Sequence, residues 1–206
     1  MIKLHVSIAF LLGSFLFSQV TAQSKNAIFV SGGKSFHGTG DLKGIAVDVM
    51  HEHNLNNRFS WSNSLTTTIH YKINRGPNNN SSQPFLQDNL LRFTTAGIQL
   101  NSHIDLTLIN ISNNKINLEV GPMLRFQSSS YPSSFGSHQE TNFPYLYYDV
   151  NYKENYNTIS PGYNVSLSYI TNVSHKYKAG FKATFQNDTQ SDVITSLSLV
   201  FGTALH

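Results

Sequence analysis

Residues 47–61 read VDVMHEHNLNNRFSW and hold the triplet His51-Glu52-His53, the densest group of metal-ligating and proton-transferring side chains in the chain. On a strand, residues two apart share a face at a separation of about 7 Å. His51 and His53 could therefore hold zinc if a third ligand joined them. The H-E-x-x-H spacing of a helical zinc site is absent, and no neighbouring Asp, Glu or His supplies the third ligand. Nucleophilic chemistry would need a Ser or Thr, a His and an orienting acid. Ser174-His175 is one pair, but strand neighbours point to opposite faces. His70 shares a face with Thr68, with no serine at that spacing. His103 and Asp105 share a face, and His70 could approach them; a structural hydrogen-bond network accounts for these residues equally well. Which of these groups converge depends on the elements that carry them.

The first residues look like a secretory leader. Lys3 precedes an apolar run over 6–17, and Val20 and Ala22 occupy the small positions of a cleavage site. Cleavage after Ala22 leaves a single domain over 23–206 and takes the formal charge from +3 to +2. The chain has no Cys, which excludes a disulfide scaffold, thiolate metal sites, a Cys nucleophile and a lipid-modified N-terminal Cys. The lysines are scattered, with no basic run that would suit nucleic acid. Charged residues are only 12 % of the chain, and Tyr, Asn, Ser and Thr are abundant. That balance favours strands over helices.

Beyond the leader no apolar run is long enough for a membrane helix. Alternation with period two recurs instead. In 58–74, Phe59, Trp61, Leu65, Thr67, Ile69, Tyr71 and Ile73 face one way, and Arg58, Ser60, Ser62, Ser64, Thr66, Thr68, His70 and Lys72 the other. Similar segments run near 26–34, 42–54, 91–110, 115–128, 159–172, 175–187 and 191–203, eight in all. The apolar phase changes between Phe93 and Ile98, which predicts a bulge or kink near Gly97. Pro122 lies inside a strand, where its missing N–H predicts another bulge.

The connections alternate between tight and long. Residues 55–57, 112–115 and 172–176 are tight; 75–89 and 129–157 are long. Many segments reach ten residues or more, which suits tilted membrane strands. An even strand count with short turns at one end and long loops at the other belongs to closed transmembrane barrels, which leave no unpaired edge in lipid. Phe59, Trp61, Tyr169, Tyr177 and Phe201 would ring the short-turn end, and Tyr71, Phe126, Tyr163 and Phe185 the long-loop end.

On these features the chain resembles the small bacterial outer-membrane β-barrel proteins, over nearly all of its mature length. The resemblance implies an all-β fold: an eight-stranded antiparallel up-and-down transmembrane β-barrel in the bacterial outer membrane, with lipids around it and no cofactor. Such barrels often end on an aromatic residue; here the last is Phe201, followed by GTALH. In this fold His51 and His53 face outward before a tight turn and Glu52 faces the lumen.

The inward faces carry Asp48, Glu52, Asp105 and Glu119 against Arg58, Lys72, Arg125, Lys178 and Lys182. Buried charges need partners, so an ion-pair network plugging the lumen is expected. The stretch 128–156 holds Tyr131, Tyr145, Tyr147, Tyr148, Tyr152 and Tyr156. It reads either as a binding loop for a protein or glycan partner or as a β-ribbon over the mouth. The leading expectation is a non-enzymatic, structural or surface-interaction protein. The alternatives are a lipid-modifying enzyme, a narrow pore, and a soluble exported barrel binding a small ligand.

Overall fold

The computed structural model describes residues 25–38, 41–75, 90–139, 146–152, 156–174, 176–190 and 192–205. The expected leader lies outside them, as do all of 76–89, Tyr145 and His175.

Ten strands are present among these residues: β1 (Asn26–His37), β2 (Leu42–Asn54), β3 (Phe59–Arg75), β4 (Leu90–Ile111), β5 (Asn114–Ser130), β6 (Pro132–Gln139), β7 (Leu146–Tyr152), β8 (Tyr156–Asn172), β9 (Tyr177–Asp188) and β10 (Val193–Leu205). Eight close into an antiparallel barrel in the order β1-β10-β9-β8-β5-β4-β3-β2, and β6 and β7 form a separate two-stranded ribbon. The stretch with the tyrosines is thus built on a β-ribbon between two barrel strands. β1 pairs with β10 from Asn26↔Leu205 to His37↔Ile194, which closes the wall.

Turn chemistry fixes the short end. The Asn56 side chain accepts from the backbone N–H of Arg58 and of Phe59, both at 2.9 Å. Ser174 Oγ accepts in the same way from Lys176 and Tyr177, at 3.3 and 3.1 Å. These are local side-chain caps of the kind Asn and Ser supply in turns. The Ser174 hydroxyl is thereby committed to its turn. At the other end β4 reaches 22 residues. A tilted strand needs roughly 9–11 to cross a bilayer, so this side of the wall stands well above the rest.

The irregularities fall elsewhere than the sequence suggested. β4 keeps one register against β3 and against β5 through Gly97, with no bulge there. The break lies between Thr107 and Ile109. Leu108 is the extra residue, and Leu108 and Ile109 both turn outward. Phe93 therefore stays in phase with the lumen-facing residues and lines the mouth. Pro122 causes no register shift either. The β4–β5 pairing passes from Asn101↔Met123 to Ile104↔Val120, and Pro122 sits opposite Tyr163 of β8. The missing N–H is accommodated by two unpaired positions, not by an inserted residue. Beside it, a Cβ on Gly121 would lie 1.8 Å from the Ser102 carbonyl oxygen, so only glycine permits this approach of the two backbones.

The barrel has two surfaces of opposite character. Outside, aliphatic side chains such as Val47, Val49, Leu65, Leu100, Leu124, Leu167 and Leu199 are exposed, with all nine aromatics expected at the two rims exposed as well. Inside, Ser, Thr, Asn, Gln and charged residues predominate. The lumen is not wholly polar: Ala27, Phe29, Met50, Ile170 and Val200 form an apolar cluster towards the short-turn end. Gly202 makes room for it, since a Cβ there would meet the Phe29 ring at 2.3 Å. Gly202→Ala should overpack the cluster and destabilise the barrel by about 1–3 kcal/mol. A urea midpoint unchanged from wild type would contradict this packing.

Candidate functional site

The structure answers the triplet first. Glu52 faces the lumen and is buried, His51 is exposed on the outer wall, and the His53 ring Nδ1 hydrogen-bonds to Asn26 Oδ1 at 2.8 Å. The three do not converge on one point, because strand neighbours alternate.

The lumen charges are spread along the barrel. At the centre, Lys182 of β9 pairs with Glu119 of β5 at 2.6 Å and approaches Asp48 of β2 at 3.9 Å. Serine and threonine hydroxyls hold the acids. Ser168 Oγ donates to Glu119 Oε1 at 2.9 Å, Thr66 Oγ1 to Asp48 Oδ1 at 2.6 Å, and Ser62 Oγ to Asp105 Oδ1 at 3.1 Å. Further towards the mouth, Arg125 is almost fully buried. It donates to Gln127 at 2.8 Å, Thr68 at 3.1 Å and Gln99 at 3.4 Å. Gly97 leaves the space for its guanidinium. Lys72 lies at the rim, 3.8 Å from Asp41. Lys178 stands over the Phe29 ring at 5.3 Å, and Arg58 sits in the β2–β3 turn.

These contacts cross the barrel. The amides of Gln99 (β4) and Gln186 (β9) exchange hydrogen bonds at 2.8 and 2.9 Å. Lys182 spans from β9 to β5 and β2. Between these bonded layers lies a small cavity of about 20 Å³, lined in part by Asp48, Gln99, His103 and Lys182. A wider pocket of about 370 Å³ opens at the long-loop end, lined by His37, Phe93, Gln127, Tyr131 and Asp192 among others.

Two pairings escaped sequence reasoning because both depend on register. His70 Nε2 lies 2.8 Å from Ser35 Oγ, across from β3 to β1. Both residues are buried inside the barrel, and His70 Nδ1 has no hydrogen-bond partner among the described residues. The pair thus lacks the orienting acid of a catalytic triad and faces away from the outer wall. The second is His103, Asp105 and Glu119, whose ligand atoms lie within 4.8 Å of one another. Asp105 and Glu119 are direct partners across β4 and β5. The shared face of His103 and Asp105 is visible in the sequence. Glu119 joins them only because the Leu108 bulge shifts the hairpin register by one residue.

At the mouth, Asp192 lies 3.4 Å from His37 Nε2 and accepts from Gln127 Nε2 at 2.7 Å. The His37 contact above all, with help from the Gln127 amide, holds the Asp192 carboxyl below the ordinary carboxylate range. A depressed carboxylate stabilises the fold fully above its unfolded value and loses that contribution as pH falls through its folded value. An NMR titration of Asp192 should therefore show a midpoint below that of an ordinary aspartate, which Gln127→Ala raises. A midpoint unmoved by that substitution would remove the amide from the account.

Of the tyrosines, Tyr131 lines the mouth pocket. Tyr147, Tyr148 and Tyr152 lie on β7, opposite His138, Ser137 and Pro132 of β6, and Tyr156 opens β8.

No family model matches the chain, and no curated protein matches it. Solved structures do. Neisserial surface protein A (NspA) superposes with a TM-score of 0.55 at 13 % identity, covering 88 % of this chain and 98 % of that one. The attachment invasion locus protein Ail of Yersinia pestis gives a TM-score of 0.52 at 7 % identity over the same shares. Its complex with the heparin analogue sucrose octasulfate gives 0.53 at 8 %, again covering 88 % and 98 %. The chain therefore has the fold of the small eight-stranded outer-membrane β-barrels.

Proposed function

We propose that the protein is exported by a leader over 1–22, inserts in the bacterial outer membrane, and presents its long loops and the β6–β7 ribbon to partners at the cell surface. One observation carries this reading: an exposed aliphatic waist between two rings of exposed aromatics, on a closed wall. A soluble monomer rarely exposes a continuous apolar surface beyond a few hundred Å², whereas lipid requires one. The polar, bonded lumen favours a scaffold over a conduit. The outward aliphatic face likewise weighs against the soluble ligand-binding alternative.

The ribbon region suits stacking and hydrogen bonding better than charge attraction. Residues 128–156 hold Glu140, Asp149 and Glu154 against Lys153. A polyanion such as the heparin analogue bound to Ail would find little attraction there. Neutral glycan or protein surfaces fit the tyrosine, serine and asparagine content.

Expression of the full chain, envelope fractionation and gels with and without boiling test the reading. The expected result is outer-membrane recovery, a heat-dependent mobility shift, and protease cleavage within 132–152 on intact cells. Bilayers containing the protein should show no steady conductance. A soluble product without a shift would sink the membrane reading, and stable conductance would favour the pore.

A further inference from the structure

The geometry points to a divalent transition-metal site of the zinc class inside the barrel, held by His103, Asp105 and Glu119. All three are buried, and their ligand atoms lie within 4.8 Å of one another. Nitrogen and carboxylate ligands about 2.0–2.2 Å from an ion stand about 3.5 Å apart, so the side chains need close by only about an ångström.

Three further observations single this cluster out. His103 is only 1 % exposed, yet neither ring nitrogen has a hydrogen-bond partner among the described residues. An imidazole so placed is costly unless something accepts or donates to it. Next, each carboxylate is oriented by a serine from the neighbouring strand, Ser62 on Asp105 and Ser168 on Glu119. Hydroxyls that hold one oxygen and aim the other are the usual outer partners of metal ligands. Last, acids crowd the site. Asp105 and Glu119 are direct cross-strand partners, and Asp48 lies near the Lys182 ammonium that Glu119 binds. A cation between Asp105 and Glu119 would relieve the repulsion of two like-charged neighbours. The cavity beside His103 leaves space for a water ligand.

Lys182 occupies Glu119 Oε2 at 2.6 Å, so metal binding must displace it. Its ammonium has a nearby alternative in Asp48, already 3.9 Å away. The ion would then tie β4 to β5 at their shared pair while Lys182 ties β9 to β2.

Untagged, refolded barrel stripped with EDTA should bind one equivalent of Co²⁺, with visible d–d absorption and displacement by Zn²⁺. His103→Ala and Asp105→Asn should each abolish the spectrum, or weaken binding at least tenfold, while keeping the heat-dependent gel shift. Ser62→Ala should weaken it by about tenfold. His51→Ala with His53→Ala should leave it intact, which separates the lumen from the outer-wall histidines. Should His103→Ala not fold, Asp105→Asn alone decides. No stoichiometric Co²⁺ uptake would overturn the site. Uptake unchanged by both ligand substitutions would overturn it equally.

Discussion

Lys182→Ala should destabilise the barrel by about 3–5 kcal/mol in metal-free buffer, because it strands Glu119 and Asp48 as buried charges. The Lys182–Glu119 contact is 2.6 Å, with side chains 8 % and 3 % exposed. Solvent therefore cannot take over the role of the ammonium. Removing one partner of such a pair costs far more than the pair itself contributes. The double variant Lys182→Met, Glu119→Gln should accordingly recover most of the loss. Urea unfolding from lipid vesicles with EDTA present measures both. Equal destabilisation by the single and double variants would mean that lost packing, and not stranded charge, sets the effect. With Zn²⁺ added, an occupied metal site would reduce the single-variant loss, since a ligand bound only to the folded state stabilises it.

The barrel itself was legible because its signal is repeated. Period-two alternation in eight segments fixes which face each residue takes, and the tight turns at Asn56 and Ser174 fix which strands are neighbours. The strand ends were legible to within a few residues. The lumen chemistry was less so, for a physical reason. Alternation assigns a side chain to a face, but only register assigns its cross-lumen partner. Asp105 and Glu119 are both readable as inward. That they oppose each other depends on Leu108, an apolar residue with nothing in its type to mark a bulge. Ser35 and His70 lie on strands that are not neighbours, so their contact also needs the curvature of the closed wall. Pro122 misled because its missing N–H predicts an insertion; the two chains instead leave positions unpaired, with Gly121 allowing their close approach. Buried Phe29 and Val200 show the same limit from the other side. An apolar residue on a polar face reads as an exception until its neighbours around the barrel are known.

The outer wall offers the sharper test of where the protein resides. Leu100 is 60 % exposed and sits mid-wall, paired with Leu65 on one side and Leu124 on the other. In a bilayer this rung lies near the apolar centre. Leu100→Arg should then cost about 2–4 kcal/mol in lipid vesicles, the depth-dependent penalty for a cation on the lipid face. At Tyr71, near the long-loop rim and also exposed, the same substitution should cost no more than about 1 kcal/mol. A soluble barrel would show neither effect, because exposed surface positions change stability by only about 0.5 kcal/mol. The gradient is the diagnostic. A single destabilised variant could reflect a local packing fault, but a cost that falls from the waist to the rim follows the polarity of a bilayer and of nothing within the protein. Both variants leave the lumen untouched, so the Lys182–Glu119 pair serves as an internal control for folding.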